Sequence, residues 1–161
     1  FHIPFPEYNE AAQDENALLI GTRKEKACAP LINTGLYAAM LNAGDIMATF
    51  VGHDHVNDYV VDWKGILLCY GRFTGGNTVY HDIPGGNGAR VIELTQGVRS
   101  FKTWERLEGG KIISKENNSQ LGRIEVFSVP VPSGDKTVSS FVIHKLLSQL
   151  HTSLSAFYGY S

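Results

Sequence analysis

The spacing of apolar positions changes along the chain, and the predicted element changes with it. The opening "FHIPFPEYNE" carries prolines at positions 4 and 6, which exclude helix there and predict a strand end running into a loop. Residues 9–30 are polar and weakly periodic and read as a surface loop with at most a helical turn. In "NTGLYAAMLNAGDI", Leu36, Ala39, Met40 and Ala43 recur at helical spacing. Asn33 or Thr34 is placed to cap that helix and Gly44 to stop it. "IMATFVG" is a short apolar run ending on glycine, a buried strand followed by a sharp loop.

Beyond the loop the period becomes that of strands. "DYVVDW" and "ILLCYGR" flank Lys64-Gly65 and predict a hairpin. A glycine-rich loop follows, from Gly75 to Gly88, and then a second strand pair in "ARVIELT" and "SFKTWERLEGGKII", anchored by Phe101 and Trp104. "GRIEVFSVPVPSGD" is strand-like as far as its prolines. "VSSFVIHKLLSQLHTSLSAF" has Val138, Phe141, Val142, Leu146, Leu150 and Leu154 near helical spacing, an amphipathic C-terminal helix. No internal repeat is present.

Composition narrows the class. The 161 residues are 43% apolar and 19% charged with a net charge of −2, sufficient for one folded core. So even a balance gives no electrostatic reason to expect nucleic acid or an anionic membrane as partner, and no apolar run reaches the ~18–20 residues of a membrane span. Cys28 and Cys69 are too few and too far apart for a zinc ribbon or a disulfide framework. Two buried thiols are expected, with a single bridge as the alternative. The first residue is Phe, not Met, so the expectation is that sequence upstream has been removed. A glycosylation acceptor at Asn117-Asn118-Ser119 would matter only in a secreted protein.

The candidate chemistry lies in "TFVGHDHVNDY". A His-x-His pair on a strand points to opposite faces, but in a loop at a strand's end the two rings can converge, and Gly52 lets the backbone turn there. Imidazole is a ligand for zinc, iron and manganese alike, and Asp54 could orient a ring. The opposing reading is two surface histidines in a polar turn.

Gly52-His53-Asp54-His55, behind a buried strand and ahead of a hairpin, resembles the last signature of the calcineurin-like metallophosphoesterases. "FHIPFPEY" resembles the stretch before it, where a lone histidine ahead of a proline is a metal ligand. "RKEKACAPLINTGLYAAMLNAGDIMATFVGHDHVNDY", "YGRFTGG", "GARVIELTQG" and "FKTWERLEGG" resemble the purple acid phosphatase-related branch, with its yeast Dcr-type and plant single-domain phosphatases. The resemblance implies an α/β (α+β) fold, the C-terminal half of an α/β/β/α sandwich of mostly antiparallel strands plus helices. Residues 1–112 would be that half-domain and residues 113–161 a C-terminal extension.

The resemblance also implies a function: hydrolysis of phosphate esters at two metal ions (iron, zinc or manganese). His2 and His53 would bind one metal and His55 the other. Arg72 and Arg90 would meet a substrate phosphate, with a structural salt bridge as the alternative for each. His81, Tyr8 and Asn9 are weaker candidates to approach the site, and His144 and His151 are expected on the surface of the tail helix. A secreted or vacuolar setting is slightly favoured.

The resemblance covers only the last two of the family's five blocks. The Asp with a downstream histidine, the Gly-Asp with a bridging carboxylate and the Gly-Asn-His are not in this sequence. Gly44-Asp45 and Gly134-Asp135 fall in the wrong order, and Gly76-Asn77-Thr78 and Gly86-Asn87-Gly88 do not fit. Three neutral imidazoles cannot hold two cations without anionic oxygen donors. The chain is therefore expected to need the absent N-terminal half for catalysis, or else to act as a truncated, non-catalytic binding or regulatory module. An open edge is also expected on the strand bearing Phe50.

Overall fold

In the computed structural model, residues 1–76 and 79–113 and the backbone of residues 126–128 are described. The elements are α1 (Glu7–Ala11), β1 (Leu19–Ile20), α2 (Leu36–Ala43), β2 (Ala48–Val51), β3 (Val60–Trp63), β4 (Ile66–Tyr70), β5 (Gly88–Leu94), β6 (Ser100–Leu107), β7 (Ile112–Ile113) and β8 (Val126–Ser128). They form two four-stranded sheets, one ordered β1-β3-β4-β2, the other β5-β6-β7 with β8 also pairing to β6. Every pairing is antiparallel except β2 with β4. The mixed α/β class with two sheets and few helices is the one the sequence implied. The predicted tail helix and the boundary after residue 112 involve residues outside those described.

β4 is the keel of the first sheet. All five residues of "ILLCY" are buried, and its alternating side chains feed two cores. Ile66, Leu68 and Tyr70 join Phe5, Tyr8, Tyr37, Val51, Tyr59 and Val61 on the face covered by the helices. Leu67 and Cys69 join Val60 and Phe101, with Phe50 packed against them, between the two sheets. Phe50 and Phe101 meet edge to face at 5.7 Å, an aromatic contact between the two sheets.

The hairpin at Lys64-Gly65 forms as predicted, because both residues take positive φ (51° and 87°), the geometry that matches the twist of two paired strands. Asp62 Oδ1 accepts from the Gly65 N–H at 3.0 Å and secures the turn. In β6 burial alternates. Phe101, Thr103, Glu105 and Leu107 point inward, so of the two expected anchors Phe101 is buried and Trp104 only half-buried.

Helix α2 forms where expected but differs in its cap and its face. Gly35, in the left-handed region, is the N-cap, and Asn33 acts one step earlier by accepting from the Gly35 N–H at 2.9 Å. The buried residue is Tyr37, not Leu36, Ala39 or Ala43. Its ring covers more apolar area than either alanine, and its hydroxyl donates to the Trp63 carbonyl. The polar stretch after Pro6 holds more order than expected, namely α1 and the two-residue β1.

The edge of β2 is less open than expected. The Phe1 ammonium donates to Phe50 O at 3.1 Å, and the Gly52 N–H donates to His2 O at 3.0 Å. The first two residues thus run along β2, in the same direction, and cover part of its free edge.

This layout predicts a contrast in stability. Leu68→Ala, at a fully buried position, should cost about 2–5 kcal/mol. Leu36→Ala, where the side chain is 44% exposed, should stay within about 0.5 kcal/mol. Urea denaturation of both variants measures the difference, and equal losses would contradict the two-faced β4.

Candidate metal centre

Strand β2 ends at Val51, and the chain then reverses through Gly52 and His53. His53 takes φ of 77°, a left-handed backbone that costs a non-glycine residue about 1–2 kcal/mol. Such strain persists where surrounding contacts fix it and often marks a functional position. Here the fixing contacts come from the polar residues of the same loop, which all turn inward. Asp54 Oδ2 accepts from the Tyr70 hydroxyl at 2.5 Å and from the Cys28 N–H at 3.0 Å. Asn57 Oδ1 accepts from the N–H groups of Lys24 and Glu25, and its amide donates to Glu25 O. Asp58 Oδ1 accepts from the Thr22 N–H at 2.5 Å. With these three side chains buried at 4%, 0% and 2% exposure, the imidazoles of positions 53 and 55 are left to face outward.

His2 and His53 come together. His53 Nδ1 lies 3.3 Å from His2 Nε2, with the rings edge to face at 5.1 Å. Two nitrogens each about 2.0–2.1 Å from one tetrahedral metal are themselves ~3.3 Å apart, so the pair fits a shared cation. Burial, and then the neighbouring His53 and His55, lower the pKa of His2; the neutral imidazole that a metal requires is favoured.

His55 is held in place by a stack. Its ring lies on Phe73 at 4.5 Å and on Tyr80 at 4.8 Å, and its Nδ1–H donates to the Tyr80 carbonyl at 3.0 Å. That bond fixes the tautomer and leaves the lone pair on Nε2, as in many metal-binding histidines.

Among the described residues, the group of three or more possible donors is Cys28, His53 and Asp54, whose ligand atoms lie within 4.8 Å of one another. Cys28 is exposed and unbridged, whereas Cys69 is buried, so the expectation of two buried thiols holds for one only. Sequence reasoning missed Cys28 because it reaches His53 through a link 26 residues long, the bond from its N–H to Asp54. Asp54 itself pins Cys28 and Tyr70 instead of orienting a histidine ring. Burial first, and then the hydrogen bond to Asp54, push the Tyr70 hydroxyl far up, which keeps it a donor.

The two arginines turn inward and take the salt-bridge alternative. Arg72 is fully buried; Nη1 meets Asp58 Oδ2 at 2.5 Å, Nε donates to Gly86 O at 2.8 Å, and Nη2 donates to Pro84 O. Arg90 Nε donates to Tyr70 O at 2.6 Å, Nη2 donates to Asp58 O at 2.6 Å, and Nη2 lies 2.6 Å from Glu105 Oε1. Both guanidiniums are engaged by these inward partners, the arrangement that the salt-bridge alternative describes. Tyr8 and Asn9 are structural too. The Tyr8 hydroxyl sits among Thr49 and Cys69 groups in the core, and Asn9 pairs with both backbone groups of Ala27. His81 stacks on Phe73 at 5.4 Å and donates its Nδ1–H to Val79 O.

A mixed two-sheet fold with a histidine pair beyond β2 is consistent with a fragment of a phosphoesterase fold. Comparison with known proteins gives the same family. Among the curated relatives is an Arabidopsis thaliana protein described as "Probable inactive purple acid phosphatase 29", 36% identical over 120 residues, covering 67% of this chain and 29% of that protein. Two more from the same plant, with the same description numbered 14 and 28, are 33% and 34% identical over 119 residues. They cover 66% and 67% of this chain and 28% of each relative. The chain is purple acid phosphatase-related, and it spans less than a third of the length of the curated relatives it matches. No family model and no solved structure matches it.

Two predictions follow from the geometry. Burial is the main cause that raises the Glu105 carboxyl to about 7, with Arg90 opposing and Asp58 reinforcing the shift. A carboxyl raised in the folded state contributes stability that is complete below its unfolded pKa and lost as pH rises through the folded one. Wild-type stability should therefore fall between pH about 4.5 and about 7, and Glu105→Gln should flatten that fall. Urea midpoints taken across this window check it; parallel curves would mean that Glu105 stays ionised beside Arg90.

For the second, His53→Ala should change the stability of the metal-free chain by no more than about 0.5 kcal/mol. The ring is half-buried at the surface, and alanine meets the same backbone strain. A large fall in Tm would make the ring a core group instead.

Proposed function

We propose that this chain supplies the histidine edge of a phosphoester-hydrolysing metal centre and does not turn over substrate by itself. The observation that carries this reading is the 3.3 Å approach of His53 Nδ1 to His2 Nε2, the separation that two ligands of one tetrahedral cation would have. Purple acid phosphatases use a dinuclear metal centre, for which iron, zinc or manganese are the candidate ions. When bound, such a pair of cations clamps the phosphate and lowers the pKa of a water. His2 and His53 would hold one ion, and His55 would present Nε2 to the other.

The remaining ligands, a bridging carboxylate and an asparagine among them, belong to blocks this sequence does not carry. In this reading they come from an upstream half of the same protein, fused or separate. Residues 1–112 are then the C-terminal half of the catalytic domain and residues 113–161 an extension of it. The substrate is a phosphate monoester or diester.

A second reading is favoured by two observations. The relatives are described as inactive, and both arginines face inward. On it, the chain is a non-catalytic binding or regulatory module that keeps the fold without the chemistry.

Given zinc, iron or manganese, the 161-residue chain should hydrolyse p-nitrophenyl phosphate no faster than a His53→Ala His55→Ala variant. Adding a polypeptide that carries the missing aspartate, asparagine and histidine blocks should bring turnover under the first reading and none under the second. Robust turnover by the chain alone, lost in the double variant, would overturn both.

A further inference from the structure

The geometry points to a mononuclear thiolate–imidazole zinc site on this chain, with Cys28 as a ligand beside His53 and His2 and with Asp54 as its anionic partner. It rests on the proposed reading only in sharing the histidine pair. What is new is the sulfur donor, which changes the metal that fits, the charge of the site and the number of ions held.

Position 28 is held from both sides although it lies in no strand. Asn9 grips both backbone groups of Ala27 at 2.8 and 2.9 Å, and Asp54 accepts from the N–H of Cys28. The backbone that carries the thiol is therefore fixed, while the side chain stays exposed and can turn about one bond. The donors of Cys28, His53 and Asp54 already lie within 4.8 Å of one another, and His2 Nε2 is 3.3 Å from His53 Nδ1. The exposed thiol can turn toward these donors, and a bound zinc would draw them to ~2.3 Å sulfur and ~2.0–2.1 Å nitrogen distances.

Charge and donor softness agree. A thiolate and a carboxylate together balance one divalent cation, which three neutral imidazoles could not do. Sulfur with imidazole selects zinc or cobalt over magnesium, calcium or manganese, which take oxygen donors. Asp54 carries hydrogen bonds from Tyr70 and Cys28, the supporting bonds typical of groups that orient metal ligands. A two-metal centre needs a bridging carboxylate, and among the described residues the three-donor group contains no second acid. One ion is what this donor set accommodates.

The test is a cobalt and zinc titration of the 161-residue chain kept reduced with a phosphine, with circular dichroism to confirm that each variant is folded. The expected result is one cobalt per chain with a thiolate-to-cobalt charge-transfer band in the near ultraviolet, displaced by one equivalent of zinc. Cys28→Ser, nearly isosteric, should abolish the band. Supporting partners alone are typically worth ~10–100-fold in affinity, so losing this direct ligand should weaken zinc binding at least ~10-fold. His53→Ala should do the same, and His81→Ala should bind as wild type does. Zinc binding unaffected by Cys28→Ser but lost in His53→Ala, with no charge-transfer band, would overturn the thiolate ligand and leave the histidine pair standing. A folded wild-type chain that binds neither metal would overturn the thiolate site together with any metal held by these histidines alone, while leaving open to the phosphatase assay whether an added upstream half completes a centre.

Discussion

The buried ion pair between Asp58 and Arg72 stands where three parts of the molecule meet. Both side chains are almost wholly withdrawn from water. Breaking such a pair by removing one partner leaves a buried charge and is typically worth ~3–5 kcal/mol. Asp58 also holds the Thr22 amide and offers its carbonyl to Arg90. Arg72 gathers the carbonyls of Pro84 and Gly86 from the glycine-rich loop. Through these two residues the segment before β1's partner strand, the loop after β4 and the second sheet share one set of charges. Gly88 belongs to the same arrangement: a Cβ there would come within 2.5 Å of Arg106 O and 3.1 Å of the Arg72 side chain.

The loop from Gly52 to Tyr59 divides its labour by position. Asp54, Asn57 and Asp58 face the protein and bind backbone groups of residues 22–28, while His53 and His55 face away. Inward polar residues are costly unless every group finds a partner, and here the partners are unpaired amides of a segment with no sheet of its own. The outward imidazoles thus stand on a base made rigid by their own neighbours. A left-handed residue at position 53 is tolerable on such a base and would be a liability on a loose one.

Much of the fold was legible because its signals are local. The hairpin at Lys64-Gly65 and the run "ILLCY" each follow from a few adjacent residues. The histidine pair was legible through resemblance, since nothing in the spacing of position 2 and position 53 says that they meet. The arginines were read as equally suited to substrate or to a salt bridge, and the choice depended on Asp58 and Glu105, whose direction no local pattern reveals. The face of α2 was read only in part: of the regularly spaced Leu36, Ala39, Met40 and Ala43, Met40 packs against the core, and Tyr37, outside that spacing, is the buried residue. Cys28 was read only as a thiol because the side chains that place it, Asn9 and Asp54, come from distant points of the chain.

The path of residues 22–28 is written by side chains elsewhere, since Asn9, Asn57 and Asp58 each grasp its main chain, not its side groups. A main-chain grip is indifferent to what the gripped residue carries. Substitutions at position 28, whose side chain is exposed, can therefore accumulate in evolution without moving the stretch itself. It behaves as a socket, in which the residue at position 28 can be exchanged while its place next to the imidazoles is inherited unchanged.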